Sequence, residues 1–378
     1  MAYHTTILRQ IIDLFPRHEF ESIAKDYHRG QKFRSFNRWS QFLILFIGQV
    51  SGRRSLRDLV INITAQAPKF YHLGIKQGSR ATLARANERQ PAELYKALFY
   101  KLLQKTKLFA PKHRFKFNCK LYHLDATVID LCLSAFPWAT FRQSKGAAKL
   151  HIGLDGDGYL TEFVDLTGGK THKIAWARTL NLPKGSMAVF DLGYTDYDWY
   201  SSLTINGIKF VTRLKTNAKI KGLNKRRGRR SPGVRQDATI QLGDIPEPLR
   251  MIVYYDEESD KEYRFVSNVH DLTAQTIAAL YKERWQVETF FKWIKGNLRV
   301  KSFLGTSRNA VLTQIWIALI VYLLLAFLTF KSKLRISMQQ MLRVLQLNLF
   351  ERRYFTELFK PPEPQLTVSP QTSMLDYL

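Results

Sequence analysis

Residues 311–330 (VLTQIWIALIVYLLLAFLTF) form a run of 20 residues without a single Asp, Glu, Lys or Arg. A run of about 20 such residues is long enough to cross a bilayer as a helix. A helix that is apolar on every side can instead lie buried in the core of a large domain. Arg308 precedes the run and Lys331 and Lys333 follow it, so the flanking charges define no orientation for a membrane span. Both interpretations therefore stand until the rest of the chain is considered.

The charge balance of the chain indicates its partners. Of 378 residues, 58 are Lys or Arg and 31 are Asp or Glu, which gives a formal net charge of +27. The hydrophobic fraction of 45% and the 25 Phe, 17 Tyr and 7 Trp are ample for a packed core and exclude a disordered polybasic tail. Such an excess of positive charge suits a polyphosphate backbone or an anionic membrane surface, and nucleic acid is the commoner partner.

Cysteine usage and the N-terminal sequence indicate the compartment. Cys119 and Cys132 are too few for a disulfide framework, and we expect them to be small core residues of a protein in a reducing cytosol. The N-terminus (MAYHTTILRQIIDLF) lacks a long apolar core and a small-residue cleavage site. We therefore expect a cytoplasmic protein.

The chain divides into helix-favouring and strand-favouring regions. Residues 1–110 have apolar residues at helical spacing with interleaved Arg and Lys, which favours a helical DNA-binding domain over a solvated basic face. From residue 111 the pattern becomes strand-like, and short strands recur between 205 and 270. Helices resume at 273–295 and 308–330, and a short helix over 336–348 precedes a Pro-rich tail.

A dense basic run occupies residues 215–235. It contains nine basic residues and no acidic one, and we expect a flexible segment that contacts nucleic acid. Its members are Lys215, Lys219, Lys221, Lys225, Arg226, Arg227, Arg229, Arg230 and Arg235.

Two aspartates follow short apolar strands. Asp125 follows Leu-Tyr-His-Leu and Asp191 follows Met-Ala-Val-Phe, so each is predicted to lie where a strand ends. Between them, Gly156-Asp157-Gly158 predicts a hairpin and residues 170–180 predict a helix. Strand, hairpin, helix and strand are the opening order of a ribonuclease-H-like sheet.

A third acidic residue belongs to a regular helical pattern. Relative to Tyr281, Arg284 lies at +3, Glu288 at +7 and Lys295 at +14, and at about 100° per residue the four fall within an arc of about 60°. An amphipathic surface helix shows a similar stripe. The two strand-end aspartates favour a site, because three convergent carboxylates can hold two Mg²⁺ ions about 4 Å apart for phosphoryl transfer.

These motifs resemble a known family. The spacing Tyr281-x2-Arg284-x3-Glu288-x6-Lys295 is similar to the signature of cut-and-paste DDE transposases of the insertion sequence 4 family. Leu-Asp-Ala-Thr around Asp125 and Phe-Asp-Leu-Gly-Tyr around Asp191 resemble its first and second aspartate motifs. Leu192 and Ala126 stand where family members often carry Arg and Ser, and neither change removes a predicted metal ligand.

The resemblance implies a fold and its division into domains. We expect an α/β protein with a ribonuclease-H-like catalytic core at 111–335, interrupted by a β-rich insertion at about 205–270. A helical N-terminal DNA-binding domain would occupy 1–110, and a C-terminal helix and tail 336–378. Residues 311–330 are then expected to be a buried helix of the catalytic domain, without a membrane role.

The resemblance also implies a chemistry. Asp125, Asp191 and Glu288 would be catalytic and bind two Mg²⁺ ions, for which Mn²⁺ can substitute. Tyr281, Arg284 and Lys295 would hold DNA phosphates, and Trp285 would stack on a displaced base or pack on the insertion. Terminal inverted repeats and target DNA would be the partners of a homodimer associated with the bacterial nucleoid. The alternatives are a ribonuclease-H-like metal-dependent nuclease and a catalytically silent DNA-binding relative.

Overall fold

The protein combines a helical part with one large mixed sheet. The computed structural model describes residues 5–28, 35–142, 145–226, 231–332, 334 and 336–360. Its α-helices in chain order are α1 Ile7–Ile12, α2 Arg17–Lys25, α3 Arg38–Val50, α4 Leu56–Ala65, α5 Arg80–Arg89, α6 Glu93–Lys107, α7 Lys173–Ala177, α8 Tyr197–Ile205, α9 Ala274–Glu283, α10 Trp285–Asn297, α11 Arg308–Ser332 and α12 Met338–Asn348. Its strands are β1 Leu121–Leu131, β2 Thr140–Arg142, β3 Lys145–Asp155, β4 Leu160–Gly168, β5 Met187–Phe190, β6 Lys209–Arg213, β7 Ile220–Lys225, β8 Val234–Leu242, β9 Leu249–Asp256 and β10 Lys261–Ser267.

Four of the six α-helices described before residue 110 begin where the sequence supplies an N-capping side chain. Thr6, Asn37, Ser55 and Ser79 each accept a hydrogen bond from a backbone N–H of the first turn that follows. These bonds satisfy N–H groups that have no partner inside the helix. α3 is buried along its whole length, so the other helices pack around it.

The long apolar run is a buried helix, as predicted. α11 is long and apolar enough to cross a membrane, yet 89% of its most apolar stretch is buried inside the protein. Trp316 packs on Phe99 of α6 at a centroid distance of 5.4 Å, and Tyr322 packs on Phe290 of α10 at 5.0 Å. α11 therefore joins the N-terminal helices and the motif helix in one hydrophobic core.

The sheet is built around two parallel strand pairs. Its order is β2-β3-β1-β5-β6-β10-β9-β8-β7, with β4 paired to β3. β1 with β5 and β5 with β6 are parallel, whereas the other pairs are antiparallel. Alternate residues of β5 enter two different cores, because successive side chains of a strand point to opposite faces. The strands predicted from 205 to 270 extend this same sheet as β6 to β10.

Three local predictions need correction. β1 does not end at Asp125 but continues to Leu131, since β3 pairs with it that far; only the parallel pairing with β5 stops, at Leu124 and Phe190. The helix predicted over 170–180 is shorter and spans Lys173–Ala177. The basic run is not flexible throughout, because Ile220–Lys225 is a strand paired with β8.

Candidate active site

The parallel pairing of β1 and β5 places the two aspartates side by side. Leu124 is opposite Phe190, so Asp125 and Asp191 follow directly at the same edge. Asp191 directly follows β5, and its Oδ1 accepts a hydrogen bond from the backbone N–H of Gly193 at 2.9 Å. The predicted proximity of the two carboxylates thus follows from strand register.

A lysine joins the two aspartates. Lys173 Nζ donates to Asp125 Oδ1 at 2.6 Å and to Asp191 Oδ2 at 2.8 Å. Lys173 is the first residue of α7, and its ammonium lies 5.5 Å from the ring centroid of the buried Tyr194. The sequence analysis missed this residue, because a single lysine in the short helix predicted over 170–180 gave no signal of a contact with the two aspartates.

An arginine joins the third carboxylate to the first. Arg284 Nη2 donates to Glu288 Oε1 at 2.6 Å, and Nη1 donates to Asp125 Oδ2 at 3.3 Å. Three carboxylates from distant parts of the chain therefore surround two cations. With the two cations between them, the carboxylates are too far apart to form a metal site. Among the described residues, no group of three acidic, His or Cys side chains is close enough to hold a metal ion.

The helix that carries the motif is broken, contrary to the straight helix predicted. α9 ends at Glu283 and α10 begins at Trp285, with Arg284 between them. The N–H of Arg284 bonds to the carbonyl of Tyr281, and that of Val287 bonds to the carbonyl of Arg284, three residues back in each case. The side chain of Glu283 turns inward to Arg114 and to the hydroxyl of Tyr159. Arg284 turns to the carboxylates, and its guanidinium stays in contact with the Tyr281 ring.

Lys295 lies near strand β1 rather than at the carboxylates. Its Nζ donates to Thr127 Oγ1 at 2.6 Å and to the carbonyl of Val128 at 2.9 Å. Burial lowers the pKa of Lys295, and the nearby charge of Lys301 lowers it further. Lys295 thus extends the polar edge of β1 beyond Asp125.

Tyr281 and Trp285 line a groove beside the carboxylates. The groove has a volume of about 620 Å³ and lies between α9 and the β9–β10 hairpin. The Tyr281 ring packs on Phe265 at 5.0 Å, and the Arg284 guanidinium lies 5.5 Å from its centroid. Trp285 is 53% exposed, with the Lys292 ammonium 4.9 Å from its ring. Its indole is open to solvent rather than packed away.

The predicted DNA-contacting residues of the basic run fall into two groups. Lys225 ends β7 with an exposed side chain, whereas Arg226 bonds to Nδ1 and the carbonyl of His270. Arg227, Arg229 and Arg230 lie outside the described residues.

The electrostatics of the site favour a bound cation. Burial raises the pKa of Asp125; Lys173 opposes this rise and the charge of Asp191 adds to it. Burial alone would lower the pKa of Lys173, but Asp125 and Asp191 outweigh it and hold that pKa above its ordinary value. Three carboxylates against two cations leave a net negative charge, and carboxylate oxygens are the ligands that hard divalent cations prefer. The donor chemistry of these residues thus fits a divalent metal.

Comparison with known proteins identifies the class. Residues 121–324 match the family model described as Transposase DDE domain, and residues 3–76 match a domain of unknown function, DUF4372. A Sinorhizobium fredii protein described as a candidate transposase, y4zB, is 31% identical over 74% of this chain and 80% of its own length. A probable transposase for insertion sequence element IS5377 from Geobacillus stearothermophilus is 25% identical over 94% of this chain and 92% of its own. The cryo-EM structure of piggyBac transposase in a synaptic complex with hairpin DNA overlays with a TM-score of 0.49 at 13% identity, covering 96% of this chain and 83% of that chain.

The chain belongs to the Transposase DDE domain family. It is a DDE transposase, an enzyme of DNA transposition that acts on DNA and depends on divalent metal.

Proposed function

We propose that this transposase is a member of the insertion sequence 4 family that binds the ends of an insertion sequence and moves it by cut-and-paste transposition. The observation that carries the proposal is the convergence of Asp125, Asp191 and Glu288, which are separated by 66 and 97 positions in the sequence, around Lys173 and Arg284. The intact spacing from Tyr281 to Lys295 supports the family assignment.

Asp125, Asp191 and Glu288 are the proposed ligands of two Mg²⁺ ions, with Mn²⁺ as a substitute. Bound there, the ions would activate the attacking water or 3′-hydroxyl and stabilise the leaving oxygen. Arg284 keeps Glu288 turned toward Asp125 through its planar fork, which suits carboxylates and phosphates alike.

The remaining motif residues are proposed to position DNA. Arg284 contacts two of the carboxylates, Tyr281 lies against Arg284, and Lys295 lies on β1 beyond Asp125, so each is near a phosphodiester that would bind at the carboxylates. Trp285, exposed at the mouth of the groove, is proposed to stack on a base displaced during strand cleavage. Stacking needs an accessible ring face, and the open position of the indole supports this role.

The other regions are proposed to bind DNA less directly. Residues 1–110 would recognise the terminal inverted repeats, and the basic run 215–235, including Lys225, Arg226, Arg227, Arg229 and Arg230, would contact phosphates without sequence preference. The strands of about 205–270 are proposed to be an insertion into a ribonuclease-H-like core of residues 111–335, followed by the C-terminal part 336–378. We propose a homodimer on DNA, associated with the nucleoid.

The test uses labelled insertion-sequence end DNA and a supercoiled target plasmid with Mg²⁺. The transposase should cleave the 3′ strand at the element boundary and join that end to the plasmid. Cleavage without joined products would support the ribonuclease-H-like nuclease instead. End binding without cleavage in Mg²⁺ or Mn²⁺ would support a catalytically silent DNA-binding relative.

A further inference from the structure

Lys173 occupies the space between the two aspartates that head the site. Its ammonium makes bonds of 2.6 and 2.8 Å to one oxygen of each carboxylate, and its side chain is 22% exposed. A Cβ on Gly193 would lie 3.1 Å from Lys173 Cδ and 3.0 Å from Asp191 Oδ1, so the stem of the lysine is closely packed. The ammonium is therefore held in place rather than loosely drawn in from solvent.

The ammonium bridges the two aspartates that a shared metal ion would have to bridge. Asp125 Oδ1 and Asp191 Oδ2 both face Nζ. A Mg²⁺ ion bridging them would lie about 2.1 Å from each oxygen, which leaves no room for a nitrogen between them. Arg284 holds the other oxygen of Asp125, so the aspartate cannot simply turn away from Lys173 to present a second face.

Removal of the ammonium without replacement would leave two partly buried carboxylates facing each other. An ammonium between the two carboxylates offsets their mutual repulsion, and a metal ion in the same place would do so as well.

We propose that Lys173 is a resident counter-cation that maintains the metal-free site and that a metal ion bridging Asp125 and Asp191 must displace its ammonium. Lys173 is then a positioning residue that weakens metal binding in the free protein and preserves the spacing of the two carboxylates. This inference rests on the proposed metal-binding role of the three acids.

The test measures metal binding and stability on the full chain without DNA. Metal-stripped protein is titrated with Mn²⁺ while free Mn²⁺ is followed by electron paramagnetic resonance, and melting is recorded with and without the ion. Lys173→Met should bind Mn²⁺ about tenfold more tightly, because the ion no longer has to displace an ammonium from the two carboxylates. A tenfold change in affinity corresponds to about 1.4 kcal/mol. Its melting temperature should be below wild type without metal and should recover with saturating Mn²⁺.

Two variants serve as controls. Lys149 lies near Lys173, but its ammonium donates to the carbonyl of Thr171 and not to the carboxylates. Lys149→Met should therefore leave the Mn²⁺ affinity within about twofold of wild type. Lys173→Arg keeps the charge and should keep both the stability and the weaker affinity. If Lys173→Met does not fold, Lys173→Gln is used for the same titration.

The outcomes separate this inference from the metal site itself. Unchanged or weaker binding by Lys173→Met, or a stability loss that Mn²⁺ does not restore, would overturn the displacement. Equal binding by wild type and by Asp125→Asn would overturn the metal site in the proposed function. No binding by wild type and Lys173→Met alike would overturn the displacement, because removing the competitor should expose the site.

Discussion

Arg284 Nη2 donates to Glu288 Oε1 at 2.6 Å across the point where the motif helix breaks. The same guanidinium reaches Asp125 Oδ2 from its other terminal nitrogen. Arg284 lies between α9 and α10 and faces the carboxylates, whereas the neighbouring Glu283 bonds to Arg114 and Tyr159. Successive helical residues point about 100° apart, so the two neighbours reach different surroundings.

Asp125→Asn, Asp191→Asn and Glu288→Gln should each reduce strand cleavage below detection. An amide of the same shape lacks the negative charge that holds a divalent cation. Cleavage of labelled end DNA in Mg²⁺ and Mn²⁺ measures the effect, and gel shift should show end binding near wild type. Asp196→Asn is the matched control, since Asp196 caps α8 outside the site and Asn caps equally well. Near wild-type nicking by Asp125→Asn would show that the catalytic assignment is wrong.

Arg284→Ala and Lys295→Ala should differ in severity. Loss of the arginine removes the shared partner that positions Glu288 and Asp125. Cleavage should slow about 100-fold, because a carboxylate displaced by about 1 Å no longer aligns the reacting groups. Arg284→Lys should not restore the rate, because an ammonium cannot form the two-pronged contact. Lys295→Ala loses contacts to β1 only and should mainly weaken DNA affinity. Single-turnover rates at saturating DNA separate the two effects, and equal rate losses would contradict this difference.

Replacing Lys225, Arg227, Arg229 and Arg230 with Gln should make DNA binding less sensitive to salt. Each lost phosphate contact reduces the slope of log affinity against log salt by about 0.9. The slope is measured by fluorescence anisotropy from about 50 to about 300 mM KCl, a range that includes physiological ionic strength. Arg226 is left in place because it bonds to His270 and supports the fold. An unchanged slope would mean that these side chains do not contact DNA.

Trp285→Ala should leave stability nearly unchanged and slow the step in which a base is displaced. Trp285 is 53% exposed in the folded protein, so its removal loses little of the apolar surface that folding buries. Loss of one base-stacking contact costs about 1–3 kcal/mol, which corresponds to a rate loss of about 5-fold to about 150-fold. First-strand nicking and second-strand cleavage of a pre-nicked end are compared on denaturing gels. Trp285→Phe should keep most of the second step, and equal second-step rates for Ala and wild type would exclude stacking.

Asp157→Asn should destabilise the protein in a pH-dependent way. Burial would raise the pKa of Asp157, but hydrogen bonds from Lys120, Lys112 and the backbone N–H of His113 outweigh it and lower that pKa to about 2. A lowered carboxyl pKa stabilises the folded state above the ordinary value of 3.8, and this contribution is lost as pH falls toward 2. Loss of these bonds to a buried carboxylate costs about 2 kcal/mol.

Urea unfolding of wild type and Asp157→Asn checks this dependence. The difference in unfolding free energy should stay constant from pH 7 to pH 5 and shrink below about pH 4, where the unfolded carboxyl begins to protonate. A difference that persists unchanged at pH 3 would assign the effect to packing instead of charge.

Much of the architecture was predictable from local sequence. The hairpin around Gly156, the strands β5, β6 and β8 to β10, and the helix α12 follow from apolar alternation and turn residues, which act over a few positions. The charge-free run 311–330 could be recognised as a buried helix once a large domain was indicated, since an all-apolar helix needs apolar neighbours on every side.

The amino-acid sequence by itself determined the acidic residues and the spacing from Tyr281 to Lys295, because those are properties of residue type and order. Only the tertiary structure decided that Lys173 bridges Asp125 and Asp191, that Arg284 interrupts the helix, and that Lys295 turns to β1. The side-chain contacts among these join residues 18 to 168 positions apart. Helical and strand periodicity describe neighbours within a few positions, so they do not predict which distant residues meet. Strand register and side-chain burial bring such residues together, and both arise only when the whole chain packs.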